Sequence, residues 1–208
     1  MTDDPTLDEL RPRLAAAMVP HVAFDGWSAV ALLAGARDAG IDADLARLAL
    51  PTPTAMVEAY LAWADTRMID ALAALDLPAM KIRARIRTAV ATRLRLADDE
   101  RETVRRTLGV LALSPGLAAR SVWRTTDAMW RAAGDTATDF NHYSKRLTLG
   151  AVYSSTLLAW LDDYEGWEAF LDRRIDGVMA FEKAKARVSG LPFPSPARFL
   201  GRLRYPAL

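Results

Sequence analysis

Apolar residues in this chain recur at spacings of three and four, while Val and Ile are sparse and never alternate with polar residues over a strand's length. That period commits the whole chain to helices. Its punctuation is helical as well. The spacing predicts a first helix over residues 7–19, ended by Pro20, and a second over 28–39, with Ser28 as N-cap and Gly40 as stop. A short third over 42–49 is halted by Pro51-Thr52-Pro53. Thr54 then caps a long helix to about Leu75, Asp76 with Pro78 in its first turn opens the next to about Leu96, and Asp98 caps another to Ala112. Ser114-Pro115 begins a helix that ends at Gly134; two long ones follow over 139–162 and 165–189, the last stopped by Gly190. The expected product is all-α: a vestigial helix-turn-helix-like head over 1–53, a bundle over 54–190 and a tail over 191–208.

The 208 residues are 51% hydrophobic and 25% charged, the make-up of a folded domain. The absence of cysteine excludes a disulfide scaffold, a thiol nucleophile and a Cys-ligated metal. No run of about 18 uninterrupted apolar residues occurs. The first ten residues carry four acids in place of the basic start of a signal peptide, so an intracellular location is expected. The net charge of +1 is unevenly spread. From Glu182 onward six basic residues face one acid, giving +5 and leaving −4 on the preceding 181 residues. Beyond the stiff spacer at 192–196, Phe199, Leu200 and Leu203 share one helical face, flanked by Arg198, Arg202 and Arg204. Such an end reads as a membrane-surface contact with snorkelling arginine stems; packing on a partner subunit, or disorder, is the other reading.

Two helices have informative faces. In the one that ends near Leu96, Ile82, Ile86, Ala89 and Val90 form a stripe, and Lys81, Arg83, Arg85 and Arg87 fill the remainder as a solvated or salt-bridged face. In the one over 139–162, Phe140, Tyr143, Leu147 and Ala151 form one stripe, but Leu149, Val152, Tyr153, Leu157 and Trp160 are apolar on other sides. This helix is expected to be buried nearly all round, either as ordinary core or as the wall of an apolar cleft. A carrier of long lipids needs such a cleft, since each buried CH₂ is worth about 0.8 kcal/mol, together with a polar group at its mouth. Leu149, Tyr153 and Trp160 are the candidates for the wall and Arg146 for the polar group.

Chemistry that would mark an enzyme is missing. No G-x-G-x-x-G or Walker loop and no G-x-S-x-G elbow is present, and His21 and His142 are the only imidazoles, neither at metal-ligand spacing. The pairs Asp135/Asp139 and Asp162/Asp163 are better read as helix caps than as acid/base carboxylates. No cofactor or metal is expected, and binding is favoured over catalysis. A helix-turn-helix-like head raises DNA binding as a rival, in the form of a repressor-like transcription regulator with a lipid effector. Its charge argues against nucleic acid: residues 21–60 sum to −3, and the third helix begins Asp42-Ala43-Asp44, where phosphates would lie.

Several blocks together are distinctive: Trp63-Ala-Asp65-Thr-Arg67-Met68, Lys81-Ile82-Arg83-Ala-Arg85-Ile86, Val122-Trp123-Arg-Thr-Thr-Asp127-Ala-Met129-Trp130, Ala133-Gly134-Asp135 leading to Asp139-Phe140-Asn141-His142-Tyr143-Ser-Lys145-Arg146, and Val152-Tyr153-Ser-Ser-Thr156. Over roughly residues 26–176 they resemble the coenzyme Q biosynthesis accessory family, the lipid-binding partner of the demethoxyubiquinone hydroxylase. The resemblance implies a tetracycline-repressor-like fold, a homodimer, and a hydrophobic pocket for isoprenoid quinone intermediates or phospholipid that presents them without catalysis. By position it makes Asp127, Met129, Asp139, His142 and Tyr143 the patch facing the hydroxylase and Arg146 the contact to a lipid head group. His142 stands where eukaryotic relatives commonly carry Trp. The tail takes the place of the family's membrane-associating helix, which implies a protein peripheral to the inner membrane, on the matrix side in a eukaryote.

Overall fold

The computed structural model describes residues 5–136, 140–162 and 165–189. Among them are nine α-helices, two short 3₁₀ turns and no strand. The helices are α1 (Leu7–Asp25), α2 (Ala29–Asp38), α3 (Ala43–Ala49), α4 (Pro53–Ala73), α5 (Ile82–Arg95), α6 (Arg101–Ala112), α7 (Pro115–Ala132), α8 (Phe140–Leu161) and α9 (Trp167–Ser189). The all-α expectation holds.

Local chemistry explains most boundaries. Thr6 and Glu9 close a capping box at the start of α1, Ser28 accepts from Ala31 N–H at 3.3 Å, and Asp42 accepts from two amides of α3. Gly134, at φ 89°, terminates α7 in a conformation that disfavours any side chain. Four expected boundaries shift. Helix α1 passes through Pro20 to Asp25, because the proline lies on the exposed face, where the carbonyl it strands can be hydrated, while Val22 beyond it is fully buried. That burial offsets an interior proline's cost of about 3 kcal/mol. Thr52, not Thr54, caps α4, accepting from Ala55 N–H at 3.1 Å with Pro53 in the first turn. Asp76 opens only a 3₁₀ turn at Leu77–Ala79, because Met80 is extended and α5 starts afresh at Ile82. Asp98 likewise sits in a 3₁₀ turn, Asp98–Glu100, and spends its carboxylate on the Trp160 indole N–H at 2.9 Å.

A single apolar core runs from Leu10 in α1 to Ile175 in α9, with α1 packed on α2, α3, α4 and α6, and α4, α5, α7, α8 and α9 stacked beyond it. Gly35 lets α2 approach α1 closely, since a Cβ there would lie 3.0 Å from the backbone of Ala17 and Met18. The arginine face of α5 is salt-bridged, the second of its two expected forms: Arg83 pairs with Asp176, and Arg87 with Asp172 and Glu168, one turn apart along α9. Arg85 donates instead to the carbonyls of Pro78, Met80 and Ala133, each at 2.8 Å, tying the 3₁₀ turn to the end of α7.

Helix α8 departs most from expectation. One face is buried through Arg146, Leu149, Val152, Tyr153, Thr156 and Trp160, but Tyr143, Leu147 and Leu158 are 57%, 67% and 60% exposed and Ala151 lies between them in the open. The helix is therefore not buried all round. It packs on α7 on one side and on α9 and α5 on the other, and among the described residues no element covers the remaining face.

Candidate functional site

A cavity of about 390 Å³ lies inside the bundle between α4, α5, α6, α7 and α8. Its walls are apolar, with Leu94, Val104, Leu108, Leu111, Leu157 and Trp160 among them. Its inner end is polar. Arg93 of α5 lines it with 4% of its surface exposed, and its Nε–H donates to Asp65 Oδ1 at 3.4 Å. The same carboxylate of α4 accepts from Thr125 Oγ1 at 2.9 Å and from Arg124 Nε at 3.1 Å. Ser121, one turn before Thr125, presents a buried hydroxyl with no hydrogen-bond partner among the described residues, and Arg124 Nη2 is in the same state. Tyr153 of α8 reaches this end, and burial pushes its phenol's pKa up, against the pull of the Arg93 charge. At neutral pH the hydroxyl is a donor.

Two neighbouring side chains are tied off. Tyr60 donates to Glu100 Oε2 at 2.8 Å, and burial followed by the Glu100 charge raises its pKa. Trp160 is held by Asp98. Asp65 thus pairs with the buried Arg93 and also with Arg124, whose side chain is 38% exposed, and the Ser121 hydroxyl is left without a partner beside them.

A second ionic cluster joins α7 to α8. Arg146 is 2% exposed; its Nε donates to Asp127 Oδ1 at 2.6 Å and its Nη1 to Asp135 Oδ2 at 3.2 Å and to the His142 carbonyl at 3.0 Å. Lys145 pairs with Asp135 at 2.6 Å and lies over the Trp130 ring, and Arg131 pairs with Asp127 at 2.7 Å. Burial opposes ionisation of both aspartates, but the hydrogen bonds from Arg146 and Arg131 at Asp127, and from Lys145 and Arg146 at Asp135, hold both carboxyls below the usual value of 3.8.

The residues singled out from the sequence fall into three places. Tyr153 and Trp160 line the cavity, whereas Leu149 lines a separate groove of about 260 Å³ between α5, α8 and α9. Arg146 lines neither, and its guanidinium is committed to two carboxylates. Of the proposed partner patch, Tyr143 is exposed, His142 is half-buried with its ring 5.2 Å from that of Tyr143 and 6.1 Å from that of Trp123, and Asp127 is ion-paired beside them. Met129 is fully buried in the core and forms no part of that surface. Asp139 and the tail residues Arg198, Phe199, Leu200, Arg202 and Leu203 lie outside the described residues.

Sequence reasoning did not single out Arg93, Ser121 or Thr125. The signal was available for Arg93: it falls on the Ile86, Val90 side of α5, so it is a charge at a core register, and Asp65 is a carboxylate at a core register of α4. Charges of opposite sign at buried positions of two helices predict their pairing.

The helical bundle has a tetracycline-repressor-like fold. A TetR transcriptional regulator from Nitrosomonas europaea superposes with a TM-score of 0.62 at 19% identity, covering 80% of this chain and 96% of that one, a likeness of fold alone. In sequence, residues 116–182 match the COQ9 family model. The mitochondrial ubiquinone biosynthesis protein COQ9 of Homo sapiens is 29% identical over 185 residues, and that of Rattus norvegicus 28%, each alignment covering 83% of this chain. COQ9-B of Xenopus laevis is 27% identical over 195 residues, which is 88% of this chain. The chain spans 58% and 59% of the length of the human and rat proteins. The resemblance to the coenzyme Q biosynthesis accessory family, read from the residue blocks, is borne out.

Proposed function

We propose that this protein is a lipid-binding accessory factor of ubiquinone biosynthesis, which takes an isoprenoid quinone intermediate or a phospholipid into the cavity between α4 and α8 and presents it to a quinone hydroxylase without chemistry of its own. The observation that carries the proposal is the cavity: apolar walls around a few convergent polar groups, in a chain related to COQ9 proteins. Among the described residues no helix is long and apolar enough to cross a membrane. For access to a lipid the basic tail is proposed as a surface contact, at the inner membrane as the mitochondrial names of the relatives suggest. The exposed aromatic and apolar face of α8, Tyr143 with Leu147 and Leu158, is proposed to receive the hydroxylase or a second copy of the chain. Two exposed acids at the start of α3, Asp42 and Asp44, favour this reading over a DNA-binding regulator.

Native mass spectrometry of the purified full chain, with extraction of bound lipid, is the test. Co-purified isoprenoid or phospholipid, or stoichiometric uptake of a short-chain ubiquinone, is the expected result. A lipid-free protein that ignores both probes would overturn the proposal.

A further inference from the structure

The cavity's polarity runs opposite to that of a site that leaves a lipid head group at its mouth. The polar side chains Arg93, Ser121, Thr125 and Tyr153 are all buried, while the lining residues that reach the surface, Leu158 and Ala112, are apolar. Leu111, Leu157, Ala118 and one polar residue, Ser154, lie between the two in exposure.

At the floor, Arg93 has used one donor, on Asp65. Its Nη1 and Nη2 have no hydrogen-bond partner among the described residues, and neither has the Ser121 or the Tyr153 hydroxyl. The Ser121 hydroxyl is buried without a partner, and Arg93 and Tyr153 line the same apolar space. Together they offer donors to an oxygen acceptor from outside the chain.

Size sets the rest. A volume of about 390 Å³ is at the small end of ligand cavities. It accommodates a substituted ring with the first part of a tail, and a long polyisoprenoid has to leave through the opening between the end of α6, the start of α7 and α8.

Resting on the lipid-binding reading above, we infer that the quinone enters head first: its ring oxygens accept from Arg93, Ser121 and Tyr153 at the cavity floor, and its isoprenoid tail exits past Leu111, Leu157 and Leu158. The raised pKa of the Tyr153 phenol keeps that hydroxyl protonated and donating at physiological pH. In this orientation the ring is sequestered from water, and the reacting ring is handed over only when it leaves the cavity.

The test compares two probes on the full-length protein: a ubiquinone with a two-unit tail and an isoprenoid hydrocarbon of matched length without oxygens. Wild type is expected to favour the quinone by at least tenfold. Ser121→Ala with Tyr153→Phe, which removes two hydroxyls and little volume, should weaken the quinone about tenfold and leave the hydrocarbon unchanged. Arg93→Lys, which retains charge but loses the planar fork, should weaken the quinone alone and serves as a check if the double variant folds poorly. Equal binding of both probes, or a quinone affinity unmoved by all these substitutions, overturns head-first entry and leaves lipid binding standing. Failure of wild type to bind either probe overturns the lipid-binding reading itself.

Discussion

The α7–α8 ion cluster and the cavity floor are both built from arginine and aspartate, yet one is closed and the other open. At the first, Arg146 and Lys145 meet Asp127 and Asp135, with Arg131 adding a further donor, and Arg146 uses Nε and Nη1 on three acceptors. At the second, Arg93 and Arg124 share Asp65 alone, and donors on Ser121 and Arg124 go unused. A satisfied cluster needs nothing more and serves to hold helices together. An unsatisfied one next to empty apolar volume is a place where a ligand gains what the chain lacks.

Substitutions separate the two. Arg146→Met should be the most damaging, because it removes the buried guanidinium that joins Asp127 to Asp135 and leaves them with Arg131 and Lys145 alone; losing hydrogen bonds between charged groups in this way costs about 2–3 kcal/mol. Chemical denaturation of the folded variant measures it, and a loss under about 1 kcal/mol would make the cluster incidental. Arg93→Met should cost less, roughly 1–2 kcal/mol, since Asp65 retains Arg124 and Thr125. It should abolish the preference for a quinone over a hydrocarbon, whereas Arg146 variants that remain folded should bind as wild type does.

Acid should act on the closed cluster. Asp127 and Asp135 titrate below 3.8 in the folded chain, so their contribution is complete above about pH 4 and is lost as the pH falls through the folded values. A stability profile between pH 6 and pH 3 should drop more steeply for wild type than for Arg146→Met; parallel profiles would contradict the pairing. The smallest effect belongs to Ser121→Ala, which removes a hydroxyl that is already unpaired and should shift unfolding by less than about 0.5 kcal/mol in either direction. A larger destabilisation would mean that the hydroxyl has a partner in the free protein.

The same contrast explains what could be read in advance. Helix ends at Ser28, Asp42 and Gly134 depend on a few adjacent residues and were readable as they stand. Pro20 misled because whether a proline ends a helix depends on what Val22 gains beyond it, and that gain comes from packing against other helices. The exposed stripe Tyr143, Leu147, Leu158 has the composition of a core stripe, and only the arrangement of α7 and α9 around it reveals the difference. Arg146 stands out by its position in a distinctive motif, whereas Arg93 is one of several arginines of α5, three of which, Arg83, Arg87 and Arg95, pair with α9. A cavity has no local signature at all, because it is the volume that five helices fail to fill.

The claim that the cavity is where lipid binds is tested most directly by blocking it. Ala118, at the opening, is half-buried and carries no polar contact to lose, so Ala118→Trp should occlude the passage while leaving the fold intact by circular dichroism. Titration with the short-tailed ubiquinone is then expected to show at least a tenfold rise in Kd relative to wild type. An unchanged Kd in a properly folded Ala118→Trp protein would place the lipid elsewhere and contradict the assignment of this cavity.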